Sequence, residues 1–162
     1  MRPTLSLAEW KIAVDLEKTR SIQRSPSMLA TNCECEHCQN WRMVVHRVLP
    51  DKIVHQLCRI GISSHFPSDS YSYGPQNETE DFRVWFYAVG KILSGPSGWT
   101  EKLIGGEMTK MRNYAVLRQE PFLSLVVQRG REFIDPIPDF DNVDYDDIVQ
   151  IDFRLRIPWL VD

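Results

Sequence analysis

Three cysteines lie close together in one short segment and give the chain its most distinctive chemistry. They are Cys33, Cys35 and Cys38, with His37 between the last two. Thiolates are good zinc ligands, and a structural zinc ion takes four ligands from Cys, His or carboxylate groups. Cys58 completes a candidate Cys₄ set. The substitutes for Cys58 in the fourth place are His37, His46 and His55.

The same cysteines allow two other interpretations. Cys35-Glu36-His37-Cys38 is a C-x-x-C motif at the start of a predicted helix, where the helix dipole lowers a thiol pKa and favours redox or nucleophilic use. The strand-rich remainder lacks the βαβ pattern of a thioredoxin-like protein. Thiols also pack as small apolar side chains without any chemistry. The second C-x-x-C knuckle that makes a zinc prediction specific does not occur.

An acidic run near the end of the chain is the second candidate site. It contains the candidate partner-binding residues Asp139, Asp141, Asp144, Asp146 and Asp147. The run does not fit a calcium-binding EF-hand, because the positions that need Asp or Asn, Gly and Glu hold Val143, Asp144 and Gln150. A carboxylate cluster can bind a hard cation weakly or face a protein partner with a basic surface. The alternative is a solvated acidic loop.

No set of residues predicts a catalytic mechanism. The chain has no G-x-S-x-G elbow, G-x-G-x-x-G loop or Walker A loop. His46 and His55 fall on predicted helices and His65 in a predicted loop, and no Cys–His pair can be inferred from their spacing. Gly105-Gly106 is interpreted as a turn. These observations favour a protein that is not an enzyme.

Length and composition favour an ordinary globular protein. The chain has 162 residues, 43% of them hydrophobic and 25% charged, with a formal net charge of −3. This length predicts a single domain over residues 1–162. The negative charge argues against nucleic acid binding. Neither a signal peptide nor a membrane segment is expected, which predicts a cytoplasmic location where the cysteines are thiols or metal ligands.

Hydrophobic periodicity predicts an α+β protein with a mainly antiparallel sheet. Residues 8–17 and 149–157 alternate as strands, Ile22 begins a weaker strand, and residues 82–93 are apolar on both faces, which is typical of a central strand. Segments 114–117 and 122–129 form a further strand pair. Apolar spacing of three and four predicts helices over residues 38–49 and 50–60, which we expect to form a helical hairpin (about 38–60) packed on one face of the sheet. Segments 63–81 and 130–147 are predicted to be a loop and an irregular acidic segment.

The cysteine segment also carries a resemblance. Cys33-Glu34-Cys35-Glu36-His37-Cys38-Gln39-Asn40-Trp41 resembles a group of small bacterial proteins of unknown function that share a C-G-C-x-x-C-R-N-F segment before a helix. The likeness extends to segments 57–62, 86–90 and 157–159. The chain departs from the pattern at Glu34, Gln39 and Trp41, and the bulk of Glu34 argues against a very tight turn. The resemblance implies no activity, since none is assigned to the group.

Two functional hypotheses follow. The first is a non-catalytic cytoplasmic binding protein, of the kind that acts as an immunity-type partner of another bacterial protein, with the acidic run as its contact surface. The second is a small zinc-binding or thiol-dependent protein centred on Cys33, Cys35 and Cys38. Zinc is the cofactor that the second hypothesis implies.

Overall fold

A computed structural model describes residues 2–132 and 135–162, without the side chain of residue 131. Its mixture of helices and mainly antiparallel strands confirms the predicted α+β class. The strands of the described residues are β1 (Thr4–Leu7), β2 (Trp10–Val14), β3 (Asp69–Gln76), β4 (Thr79–Ser94), β5 (Trp99–Ile104), β6 (Glu107–Arg112), β7 (Ala115–Arg118), β8 (Leu123–Arg129) and β9 (Ile148–Pro158). The helices are α1 (Leu16–Gln23), α2 (Glu36–Val48) and α3 (Asp51–Arg59).

Seven of these strands form one antiparallel sheet in the order β1-β2-β4-β9-β8-β7, and β3 pairs with the first half of β4. The long central pair is β4 with β9, which runs from Thr79 opposite Pro158 to Val89 opposite Ile148. β5 and β6 form a separate hairpin. The predicted central strand at 82–93 and the predicted closing strand at 149–157 are therefore both present, and they pair with each other.

Alternation along the central strands separates two cores. The larger core holds Phe82, Val84 and Phe86 of β4 together with buried residues of α2 and α3. The smaller core, on the opposite side of β4, holds Trp85 and Tyr87 with residues of α1, β9 and the acidic segment. None of the helices in the described residues is both long and apolar enough to cross a membrane.

The predicted strand over residues 8–17 is wrong at both ends, and residues 8 and 9 form the turn between β1 and β2. β2 ends at Val14, and the Asp15 carboxylate accepts a hydrogen bond from the Lys18 N–H at 3.1 Å, which caps α1. Ile22, expected to begin another strand, is a buried residue of α1. Alternation predicted the burial of Trp10, Ile12 and Val14 correctly. It failed at Leu16 because a capping Asp lets the chain start a helix directly after a strand.

The predicted loop at 63–81 is also wrong, because β3 and the start of β4 occupy its second half. β3 is rich in Ser and Tyr and mostly solvent-accessible, so no buried apolar face reveals it. The hairpin of β5 and β6 was missed for the same reason, although Gly105-Gly106 forms its turn as expected, with φ of +59° and +85°. The acidic segment is largely irregular where it is described, and its positions 133 and 134 lie outside the described residues.

A buried charge network lies beside Trp85 of the smaller core. The Arg83 guanidinium donates to the carboxylate of Asp152, with its Nη2 at 2.6 Å, and to that of Asp135, also at 2.6 Å. It lies 4.1 Å from the centre of the Trp85 ring. The Tyr114 hydroxyl donates to Asp152 at 2.9 Å. Partial burial alone would raise the pKa of Asp135, but the hydrogen bonds and charge of Arg83 outweigh it and lower that pKa to about 2.

We expect Arg83→Ala to lower the free energy of unfolding by about 3–5 kcal/mol, because it leaves the fully buried carboxylate of Asp152 without its main partner. Urea denaturation at neutral pH measures this change. The matched control is Arg156→Ala, which removes an ion pair with Asp81 on the surface, where both side chains are well exposed. An exposed pair contributes little, so that variant should unfold like the parent protein. Equal effects of the two variants would contradict this assignment of the network.

Candidate metal centre

The three cysteines of the segment converge at the start of α2. Their Sγ atoms all lie within 4.8 Å of one another, and Cys33 Sγ is 3.2 Å from Cys35 Sγ. In a tetrahedral zinc site with Zn–S bonds of about 2.3 Å, two sulfur atoms lie about 3.8 Å apart. Small side-chain rotations would therefore bring all three sulfurs to one ion. Cys38 is buried, Cys33 is half-exposed and Cys35 is exposed.

Local backbone geometry explains this convergence. Cys33 and Cys35 both have extended backbone angles, and alternate residues of an extended chain point to the same side. Cys35 immediately precedes α2, and Cys38 lies one helical turn further on, on the same side of the helix as Cys35. The spacing C-x-C-x-x-C thus fits an extended segment that runs into a helix.

Two hydrogen bonds hold the extended segment against α2. The Arg42 guanidinium donates to the backbone carbonyl of Cys33 at 3.0 Å, and the Gln39 side chain donates to the carbonyl of Glu34 at 2.6 Å. Both donors come from the helix that also carries Cys38. The thiols at either end of the cluster are therefore positioned by the same element.

The environments of the thiols differ. A hydrogen bond from the backbone N–H of Cys35 is the main cause that lowers the pKa of Cys33, with help from the neighbouring thiols. Burial is the main cause that raises the pKa of Cys38 to about 12. A bound divalent cation reverses such a penalty because it holds thiols in their deprotonated form. The first turn of α2 adds the positive end of the helix dipole.

A second polar group beside the cluster anchors α2 to the sheet. His37 Nδ1 lies 2.5 Å from Oε1 of Glu80, whose side chain is fully buried. Asn40, also fully buried, donates to the Pro158 carbonyl at 2.9 Å and accepts from the Leu160 N–H at 2.8 Å. Its amide nitrogen also lies 3.4 Å from Oε2 of Glu80. A carboxylate on one ring nitrogen is the usual partner of a metal-binding histidine.

The structure brings some of the predicted ligands together and not others. Among residues 2–132 and 135–162, the potential metal ligands that meet within 4.8 Å are Cys33, Cys35 and Cys38. His37 is adjacent to this group without belonging to it. Cys58 is exposed near the end of α3, and His46 and His55 are exposed on α2 and α3.

The predicted acidic surface is mostly accessible. Asp139 and Asp141 are exposed on either side of Phe140, which is buried in the smaller core. Asp144 is exposed, and its carboxylate accepts from the backbone N–H of Asp146 at 3.0 Å. Asp147 is partly buried and lies 3.3 Å from Lys91.

The three thiols line a cavity of about 180 Å³. Its other lining residues are Leu29, Ala30, His37, Asp69, Ser70, Ser72 and Phe82. The cluster therefore has space on one side and the helix on the other. An ion bound by the three sulfurs could take a further ligand from this space.

The roles of Glu80 and Asn40 were not predicted from the sequence. Glu80 stands in the acidic run Glu78-Thr79-Glu80-Asp81, which has the composition of a solvated turn. Asn40 follows the cysteine motif closely in the sequence, but its side chain reaches the C-terminal segment. No local signal marks either contact, because both join residues that are far apart in the sequence.

Comparison with known proteins finds no match for this chain among family models, curated proteins or solved structures.

We expect Asn40→Ala to lower the free energy of unfolding by about 1–3 kcal/mol, since it leaves buried polar groups of β4 and the C-terminal segment without a partner. Thermal and urea unfolding measure the effect. The control is Arg47→Ala, which shortens an exposed side chain on the same helix. A loss of stability no greater than that of the control would contradict an anchoring role for Asn40.

Proposed function

We propose that the protein binds one zinc ion through Cys33, Cys35 and Cys38. The observation that carries this proposal is the convergence of three Sγ atoms within 4.8 Å. A set of three thiolates favours zinc over magnesium or calcium, which prefer oxygen ligands. The proposal includes a cytoplasmic location, because a reducing compartment keeps the thiols available to the metal.

The solvent exposure of the three cysteines favours zinc binding over the alternative that the thiols serve only as packed side chains. A free cysteine that serves only as a small apolar side chain is among the most buried residue types. Cys38 fits that description, but Cys33 is half-exposed and Cys35 is exposed. Packing therefore accounts for one of the three thiols, whereas a shared ion accounts for all three.

The proposed ion would also stabilise the local fold. It would tie the segment before α2 to the first turn of that helix, at the end where Asn40 and His37 reach β4 and the C-terminal segment. We also propose that α2 and α3 form the hairpin expected at about 38–60, packed on one face of the sheet. Both helices contribute buried side chains to the larger core, which supports that arrangement.

Protein purified without a metal-affinity tag should contain one zinc ion per chain by elemental analysis. Cys33→Ser, Cys35→Ser and Cys38→Ser should each lose the ion or hold it weakly, and chelator should lower the melting temperature of the parent protein, because the binding energy of a structural zinc ion contributes to folding. Lowering the pH should release the ion, since protons compete for the thiolates.

Cys58→Ser is the matched control, because Cys58 is an exposed thiol outside the cluster. It should retain a full complement of zinc and the parent melting temperature. Substoichiometric metal in the parent, with all four thiols reacting freely in the folded protein, would refute the zinc site. That result would leave the thiol-dependent redox interpretation to be tested by thiol titration.

A second candidate function is non-catalytic binding of a protein with a basic surface, including an immunity-type partner, through the acidic segment. The observation in its favour is that the buried Phe140 anchors the segment while Asp139 and Asp141 project into solvent on either side. Opposite charge on a partner would steer association and lose strength with added salt.

The triple variant Asp139→Asn, Asp141→Asn and Asp144→Asn should bind such a partner at least tenfold more weakly at low salt, because it removes charge and keeps side-chain shape. Partners captured by the parent protein are compared by titration against the variant. The control neutralises three exposed carboxylates elsewhere, Glu101→Gln, Glu107→Gln and Glu120→Gln. If both triple variants weaken partner binding equally, or if neither weakens it, a specific acidic surface is contradicted.

A further inference from the structure

A second cavity adjoins the one at the thiols. It has a volume of about 360 Å³, and its wall contains Tyr87, Ile137 and two prolines. Leu29 and Asp69 line both cavities, so these two residues stand between the thiol cluster and the apolar space. Together the cavities reach the volume range, about 300–1,000 Å³, of ordinary small-molecule sites.

Leu29 and Asp69 form the wall that the two cavities share. Leu29 is 68% exposed, although it borders apolar space on the protein surface. The carboxyl group of Asp69 is half-buried and accepts a hydrogen bond from the Ser70 N–H at 2.8 Å. A bound molecule that covered Leu29 would gain apolar contact there and would meet a hydrogen-bond acceptor at the same place.

The proposed zinc site has three protein ligands among the described residues, and three ligands with one free position are typical of zinc that binds an exchangeable group. Three thiolates and Zn²⁺ carry a net negative charge, and the carboxyl group of Asp69 lines the same cavity. The Arg42 guanidinium on the Cys33 carbonyl offsets part of this charge, but an anionic ligand would still add to it next to Asp69. A neutral nitrogen donor with its own N–H adds no charge, and it could ligate zinc while donating to Asp69, as zinc-bound imidazoles donate to carboxylates.

We propose that the zinc centre is open and that the two cavities together bind a small molecule with an apolar body and a neutral, imidazole-type nitrogen base. The base takes the fourth position on the metal and donates its N–H to Asp69. The apolar body covers Leu29 and fills the space beside Tyr87 and Ile137. This inference rests on the proposed zinc site and adds its ligand class.

The test uses the full chain with Co²⁺ in place of zinc, because cobalt reports its ligands in the visible spectrum. The probes are imidazole and 4-phenylimidazole. Both should change the spectrum of the cobalt protein, and 4-phenylimidazole should bind on the order of tenfold more tightly because its ring leaves water for the apolar cavity. Asp69→Ala should weaken both probes by a similar factor.

Leu29→Asp should abolish the tighter binding of 4-phenylimidazole relative to imidazole, because it places a charge where the apolar body would lie. Leu103→Asp is the control, since Leu103 is 69% exposed, almost the same as Leu29, but lies on the β5–β6 hairpin. Both substitutions are at exposed positions, so the fold should tolerate them.

The possible failures are distinguishable. If Co²⁺ does not bind through the three thiolates, the zinc site itself is refuted, and the inference with it. If Co²⁺ binds and neither probe alters its spectrum, the zinc site stands and the open position is refuted. If Leu29→Asp and Leu103→Asp behave alike, the adjoining cavity does not hold the apolar body. If benzenethiol binds more tightly than 4-phenylimidazole, the neutral nitrogen base is the wrong ligand class.

Discussion

The antiparallel pairing of β4 with β9 is the constraint on which the rest of the structure depends. It extends from Thr79 opposite Pro158 to Val89 opposite Ile148 without an interruption in register. Because side chains alternate across a strand, this register sends Phe82, Val84 and Phe86 to the larger core and the intervening residues to the smaller one. A slip by one residue would exchange the two sets and place Arg83 in the apolar core.

The candidate metal centre depends on the same pairing. Glu80 lies near the start of β4 and Pro158 at the end of β9, so the ladder brings them to one end of the sheet. Asn40 contacts both, and His37 contacts Glu80, which places the first turn of α2 against that end. The thiols are then arranged by α2 itself. A local sequence motif thus acquires its position in space from strands that are distant in the chain.

Elements whose hydrophobic pattern lies within one segment could be predicted from the sequence. The strand predicted from alternation over 149–157 is present, and so is the helix predicted from the apolar stripe of 38–49. β3 could not be recognised because its side chains are largely exposed and carry no apolar pattern. The closeness of Cys33, Cys35 and Cys38 follows from their spacing. The contact of Asn40 with Leu160 could not be foreseen, because only the assembled sheet brings those two residues together.

The position of Cys58 relative to the other three cysteines could not be predicted from the sequence. It lies on α3, and the side chain of Gln56 on that helix both donates to and accepts from the backbone of Ser6 on β1. β1 reaches the central strands through β2, which pairs with the far end of β4, from Gly90 to Ser94. The thiol cluster is anchored at the opposite end of β4, through Glu80. Cys58 is not among the thiols that meet within 4.8 Å, so its distance in the sequence alone could not decide whether it belongs to the cluster.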